Sequence, residues 1–314
     1  MAFAEPTIPH PTEAQAGEPT GASRLAHGRH FAEIDGNRIH YEVRGSGPVL
    51  IAPTPGWGPS LGYMMPLPAL ERHCTVVYVD TRHSGESSGP ERGDQYTLAH
   101  FVSDIEGLRL HLGAPQVFLA GHSAGGHQVL AYGIRYSENL LGIICIDGIA
   151  AQDEARATEM LARMEARRSH PFFAARPGFV DTAVRMLGGQ DTTPRTTDEV
   201  FAAIGPFYFH DPAIAAGVFA TMEIDEQVQG YARESGFQRD NLLEDLHRIS
   251  VPTLVIAGDD DFICDPVTQA ARIAARVPDS TLEVIRDCGH VPWIEQPDAF
   301  DRVCDGWLRA RIGD

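Results

Sequence analysis

A serine hydroxyl attacks a carbonyl only where a tight turn holds it in the open and a base can take its proton. The pentad Gly-x-Ser-x-Gly, which builds such a turn, occurs three times in this chain, around Ser60, Ser87 and Ser123. Three matches make the pattern weak by itself, so the flanking residues must choose among them. Ser123 follows Val117-Phe118-Leu119-Ala120, an apolar run of buried-strand type. It precedes a segment in which Leu130 and Ile134, and Val129 and Gly133, recur four apart, the spacing of a helix face. Its hydroxyl would stand between a strand end and a helix N-terminus, where the unspent N–H of Ala124 favours negative charge. Ser60 lies in a stretch broken by Pro53, Pro55 and Pro59, and Ser87 lies in the polar, glycine-rich loop DTRHSGESSGPERGD. Both read as loop serines.

An activated serine also needs an imidazole, and the imidazole needs a carboxylate to orient it. Downstream, the apolar run 253–257 leads into Asp259-Asp260-Asp261, and the run 282–285 leads into Arg286-Asp287-Cys288-Gly289-His290. Acid and base therefore leave the carboxyl ends of strands, the edge at which open α/β sheets bind ligands.

Those groups meet only if one sheet carries them. Asp35-Gly36-Asn37 is a turn signal between the runs 31–34 and 39–43, which suggests a hairpin. Further short runs at 49–52, 76–79, 117–120, 141–146, 253–257 and 282–285 show no alternation, as suits strands covered on both faces. Helical patterns at 98–112, 124–136, 266–277 and 299–312 fall between or after them, and this order predicts a doubly wound, mostly parallel α/β sheet. About a hundred residues, 150–249, interrupt the rhythm with helix formers and no convincing strand. A structureless loop of that length is improbable in a compact domain, so a helical cap inserted in the core (29–149 and 250–314) is expected.

Here the chain resembles the α/β-hydrolase superfamily, from about Phe31 to its end. The stretches IDGNRIHYEVRGSGPVLIA, VVYVDTRHSGESSGP, GHSAGG, TLVIAGDDDFICDP and CGHVPWIEQP are similar to the branch of proline iminopeptidases and related esterases. The resemblance implies the chain order Ser, acid, His, with Ser123 as nucleophile, His290 as base and Asp261 as acid. Asp260, then Asp259, are lesser candidates for the acid by this comparison, and Asp147 is a distant alternative because some members carry the acid there. Two N–H groups must hold the oxyanion. Ala124 supplies one. If Pro55-Gly56 stands where relatives carry His-Gly, Trp57 supplies the other, but the missing histidine leaves open what anchors this loop. His83, His122 and His127 read as packing or solvated residues.

The implied activity is hydrolysis of a carboxylic ester or lactone. Aromatics of the insertion, among them Phe172, Phe207 and Tyr208, would wall the site for a bulky substrate, of which a macrocyclic lactone is one example. Aminopeptidase activity is the alternative; it would use carboxylates such as Glu223, Asp225 and Glu226 for the substrate ammonium. Carbon–carbon hydrolysis and a non-catalytic receptor are lesser ones. No metal or cofactor is implied.

Composition agrees with a small-molecule substrate. A net charge of −18 repels phosphate backbones, which argues against nucleic acid, and no apolar run approaches the roughly 18 residues of a membrane span. Residues 1–28, rich in Pro, Glu, Thr and Gly, have neither the basic nor the apolar region of a secretory signal and read as a mobile tail. Cys74, Cys145, Cys264, Cys288 and Cys304 form no C-x-x-C pair, which suggests free thiols and a cytoplasmic setting. Oligomeric state is not legible.

Overall fold

The computed structural model describes residues 24–312. Most of the expected N-terminal tail, residues 1–23, lies outside them. The described residues form one eight-stranded sheet. Its strands are β1 (Gly28–Ile34), β2 (Asn37–Gly45), β3 (Val49–Pro53), β4 (Thr75–Val79), β5 (Val117–His122), β6 (Leu140–Ile146), β7 (Thr253–Gly258) and β8 (Ser280–Ile285). Their order is β1-β2-β4-β3-β5-β6-β7-β8. β2 runs antiparallel to both neighbours and every other pair is parallel. Asp35 (φ 51°) and Gly36 (φ 72°) make the two-residue turn between β1 and β2, with Ile34 paired to Asn37. Positive φ at both turn residues matches the strand twist, which is why Asp-Gly marks such hairpins.

The central strands are apolar at every position because both faces are covered. Ile51, Val77, Leu119, Ile143 and Val255 point into one core, and their neighbours Leu50, Val76, Phe118, Ile144 and Leu254 point into the other. Helices α1 (Leu98–Leu112) and α2 (Ala124–Tyr136) supply residues such as Phe101, Ile105, Val129 and Leu130 to the first core. β8 departs from the expectation of two covered faces. It is an edge strand, and Leu282 and Val284 remain exposed.

Between β6 and β7 lie α3 (Glu154–Ala166), α4 (Phe179–Leu187), α5 (Thr197–Ile204) and α6 (Glu226–Ser235), with short turns between them. Polar caps start three of these helices. Asp153 accepts from the Arg156 N–H, Asp225 from the Val228 N–H, and Thr196 and Glu199 bond each other's backbone N–H in a capping box. Met160, Met164, Phe173, Val180 and Phe207 form a separate apolar cluster here, joined to the sheet side by Phe262. The 266–277 helix is not uniform: Pro266–Ala270 is a wide π turn that continues as Ala271–Ala274. The buried Gln269 in the wide turn bonds the Ala150 N–H and the Ala151 carbonyl. A final helix, α7 (Pro297–Ile312), packs Phe300, Cys304, Trp307 and Leu308 on the second core. No helix of the described residues is long and apolar enough to cross a membrane. All five cysteines are buried free thiols.

Candidate active site

Ser123 joins β5 to α2 with φ 57° and ψ −121°. A non-glycine residue in this region costs about 1–3 kcal/mol, so the surroundings must impose it. They do so from both sides: β5 is buried at all six positions, and the Ser123 N–H donates to the Ile146 carbonyl of β6 at 3.0 Å. The turn closes only on glycine. A Cβ at Gly121 would sit 2.3 Å from the Gly125 oxygen, and one at Gly126, outside the pentad, 2.6 Å from the Gly148 Cα. Ala124 opens α2, so its N–H has no acceptor within the helix. The other two pentad serines are occupied differently. Ser87 is buried, its Oγ donating to the Asp80 carbonyl and accepting from the His40 N–H. Ser60 bonds through its N–H to the Glu223 carbonyl.

Asp261 and His290 lie at the ends of β7 and β8 and are both almost fully buried. His290 Nδ1 is 2.7 Å from Asp261 Oδ2, and Asp261 Oδ1 accepts from the N–H groups of Ile263 (2.9 Å) and Cys264 (3.1 Å). Burial would raise the Asp261 carboxyl, but the His290 imidazole and these N–H donors outweigh it and hold the carboxyl below its usual range. Ser123 and His290 line one cavity. The Ser123 hydroxyl lies beside the Cys264 thiol. Potential ligand atoms of Asp261, Cys264 and His290 lie within 4.8 Å of one another. Their chemistry suits a hydrogen-bonded relay better than a metal: the Asp261 oxygen and the His290 nitrogen already face each other, and burial pushes the Cys264 thiol well up, away from the thiolate a metal needs.

The remaining carboxylates separate cleanly. Asp259 accepts from the Cys288 N–H, and Asp260 pairs with His210. Asp147, at φ 41° after β6, is fully buried, with Oδ1 accepting from the Gly258 N–H at 2.8 Å. Burial, then the charge of Asp261, push its carboxyl well up, and among the described residues no hydrogen bond reaches its Oδ2.

Several residues that position the site carry no signal in the sequence. His122 Nε2 donates to the His290 carbonyl at 2.6 Å, and its Nδ1 accepts from the Tyr63 hydroxyl at 2.7 Å. Burial, then the nearby His290, depress the His122 pKa well below normal, so this bridge is neutral. Glu295 accepts from the N–H groups of Gly289 and Val291, gripping the His290 loop from behind, while the Tyr208 carbonyl accepts the His290 N–H. A histidine followed within a few residues by a glutamate is too common a spacing to flag this in advance.

The loop after β3 is anchored without the histidine that relatives carry. The Thr54 N–H donates to the Val79 carbonyl and Gln128 Nε2 to the Thr54 carbonyl. Across the cavity mouth, the Asp225 N–H donates to the Gly58 carbonyl at 2.9 Å and the Ser60 N–H to the Glu223 carbonyl at 2.9 Å. The segment before α6 thus pairs with the loop that carries Trp57. Among the described residues no acceptor takes the Trp57 N–H.

The cavity holds about 450 Å³. Trp57, Tyr63, Phe201, Tyr208, Phe219 and Trp293 give it an aromatic wall. Tyr208, expected there, stands edge-on to His290 at 5.2 Å between ring centroids. Phe172 and Phe207, also expected there, are not on the wall. Phe207 is fully buried and stacks on Phe173 at 4.5 Å, and Phe172 packs against the same cluster under Arg176. The helices between β6 and β7 need a core of their own, and these rings form it. Glu223, Asp225 and Glu226 are absent from the lining, where no Asp or Glu occurs among the described residues.

A family model described as the alpha/beta hydrolase fold matches residues 54–297. A proline iminopeptidase of Thermoplasma volcanium is 24% identical over 303 residues, 90% of this chain and 97% of its own length. Among solved structures, a proline iminopeptidase of Mycobacterium smegmatis matches with a TM-score of 0.67 at 18% identity, covering 90% of this chain and 98% of that one. The enol-lactonase of Burkholderia xenovorans matches with a TM-score of 0.63 at 23% identity, covering 89% and 99%. Structural likeness at such identities speaks for the fold alone. With the family model spanning well over half of its residues, the chain belongs to the α/β-hydrolase fold family.

Proposed function

We propose that this protein is a serine hydrolase that cleaves a carboxylic ester or lactone through an acyl-enzyme on Ser123. One observation carries the reading: a serine strained onto a glycine-walled turn shares a cavity with a histidine whose Nδ1 is held by a buried, charged aspartate. With Asp261 fixing the proton on Nδ1, His290 Nε2 is the free base. The Ser123 hydroxyl attacks the carbonyl carbon and passes its proton to Nε2. The developing oxyanion lies against the N–H groups of Ala124 and Trp57. Collapse expels the alcohol, which takes the proton from His290. Water, deprotonated by the same nitrogen, then releases the acid and restores the serine. The helices between β6 and β7 act as a cap that excludes bulk water.

The lining favours esters over the aminopeptidase alternative that the iminopeptidase relative suggests. A substrate ammonium needs a carboxylate near it, and the described cavity wall has none. The volume and aromatic wall suit a partly apolar ligand toward the small end of the range for such pockets. The test is a panel of acyl esters, lactones and prolyl-arylamides, run with wild type, Ser123→Ala and Ser60→Ala proteins beside fluorophosphonate labelling. Ester or lactone turnover and labelling should vanish in Ser123→Ala and persist in Ser60→Ala. Turnover of the arylamide alone would reject the ester reading, and unchanged rates in Ser123→Ala would reject the nucleophile.

A further inference from the structure

The cavity carries charge of one sign only, in a protein whose net charge is strongly negative. Opposite the aromatic wall runs a polar arc of Gln152, Arg156, Arg233, Gln238 and Arg239. Gln152 Nε2 donates to Gln238 Oε1 at 3.1 Å, tying the approach to α3 to the chain that follows α6. Arg233 and Arg239 are exposed, whereas Arg156 is only 9% exposed. Its Nε donates to the Ile263 carbonyl at 3.0 Å, in the loop that follows Asp261. Asp153, one helical turn before Arg156, is taken by Arg272 at 2.7 Å. Among the described residues none of the three cavity arginines has an ion-pair partner.

A guanidinium cannot shed its proton, so a nearly buried one without an anion is unfavourable as it stands. Its Nε is spent on Ile263, which leaves the two terminal nitrogens as the free donors, a fork that matches the two oxygens of a carboxylate. We infer that the ester or lactone hydrolysed at this site carries a free carboxylate, seated on Arg156 with Arg233 and Arg239 drawing it in at the rim, while its apolar body lies on the aromatic wall. This rests on the serine-hydrolase reading for the reaction but not for the binding.

Two measurements separate the two claims. The first compares p-nitrophenyl hydrogen adipate with its neutral carboxamide analogue and with the p-nitrophenyl ester of 6-aminohexanoic acid, which carries an ammonium. Wild-type kcat/KM should favour the carboxylate at least tenfold over the carboxamide and more over the ammonium. Arg156→Gln should collapse that ratio at least tenfold, chiefly through KM, and Arg233→Gln with Arg239→Gln should reduce it further. The second titrates Ser123→Ala protein with phenylsuccinate, with its diamide and with inorganic phosphate, read by tryptophan fluorescence from Trp57 and Trp293. Saturable, Arg156-dependent binding of phenylsuccinate, at least tenfold tighter than the diamide and phosphate, is expected. Ester turnover with no preference for the carboxylate, or with a preference that survives Arg156→Gln, overturns the inference and leaves the hydrolase intact. Arg156-dependent binding with no ester turnover does the reverse. Phosphate binding as tightly as phenylsuccinate overturns the choice of a carboxylate.

Discussion

Replacing Asp261 by asparagine asks where the proton of His290 sits. The wild-type carboxylate accepts three hydrogen bonds, two on Oδ1 from Ile263 and Cys264 and one on Oδ2 facing His290 Nδ1. An amide has one accepting and one donating end. Turned with its oxygen toward His290, it would leave two buried N–H groups facing an NH2, at about 1–3 kcal/mol each. Turned the other way, only the contact with His290 changes. The second orientation wins by about 2 kcal/mol or more on that count. The NH2 then donates to Nδ1, the ring proton moves to Nε2, and the base toward Ser123 is lost. By the general behaviour of such triads kcat should fall on the order of 10³–10⁴-fold, about 4–5.5 kcal/mol of barrier. The melting temperature should move little, because the amide fills the same space. Initial rates on an activated ester, normalised to fluorophosphonate-reactive protein, measure the loss. Asp147→Asn is the paired control. Burial already favours an uncharged group at Asp147, and an amide oxygen still accepts from the Gly258 N–H, so its kcat should stay within about fivefold of wild type. More than a tenth of wild-type kcat in Asp261→Asn would refute the assignment, and a larger loss in Asp147→Asn would move the acid to β6.

Two further outcomes test the frame around the site. Gly58→Ala places a Cβ 2.5 Å from the Asp225 carbonyl at φ 109°, so it should cost about 1–3 kcal/mol and lower kcat/KM by displacing Trp57; Gly230→Ala, with open space at its site in α6, should stabilise slightly, as paired melting curves and ester kinetics would show. Burial holds the His127 pKa down to about 4 and lowers that of His122 as well, so below pH 6.5 the unfolded chain takes up protons that the fold refuses. Urea unfolding should show full stability at pH 7 and a loss of about 2–3 kcal/mol from His127 alone by pH 4.5. His127→Asn, whose amide keeps the donor to the Ile149 carbonyl (3.0 Å), should flatten that limb, and an unchanged slope would show that His127 does not contribute.

What the residues determine locally was legible in order. All eight strands announce themselves as short apolar or alternating runs, because covered parallel strands need apolar side chains on both faces and Asp-Gly needs its hairpin turn. Ser123, Asp261 and His290 stand out because each leaves a strand end beside glycine or a run of acids. Tertiary structure alone decided the rest. Whether Asp147 or Asp261 carries the charge depends on which one meets His290 Nδ1, a contact across 29 residues that no spacing encodes. Phe172, Phe207 and Tyr208 look alike in the chain, but only Tyr208 faces the cavity, since the others fill the core that the inserted helices require. The unpaired Arg156 shows least of all in the sequence. An arginine on a helix normally meets an acid or solvent, and only the packed fold shows it nearly buried with Asp153 already taken by Arg272.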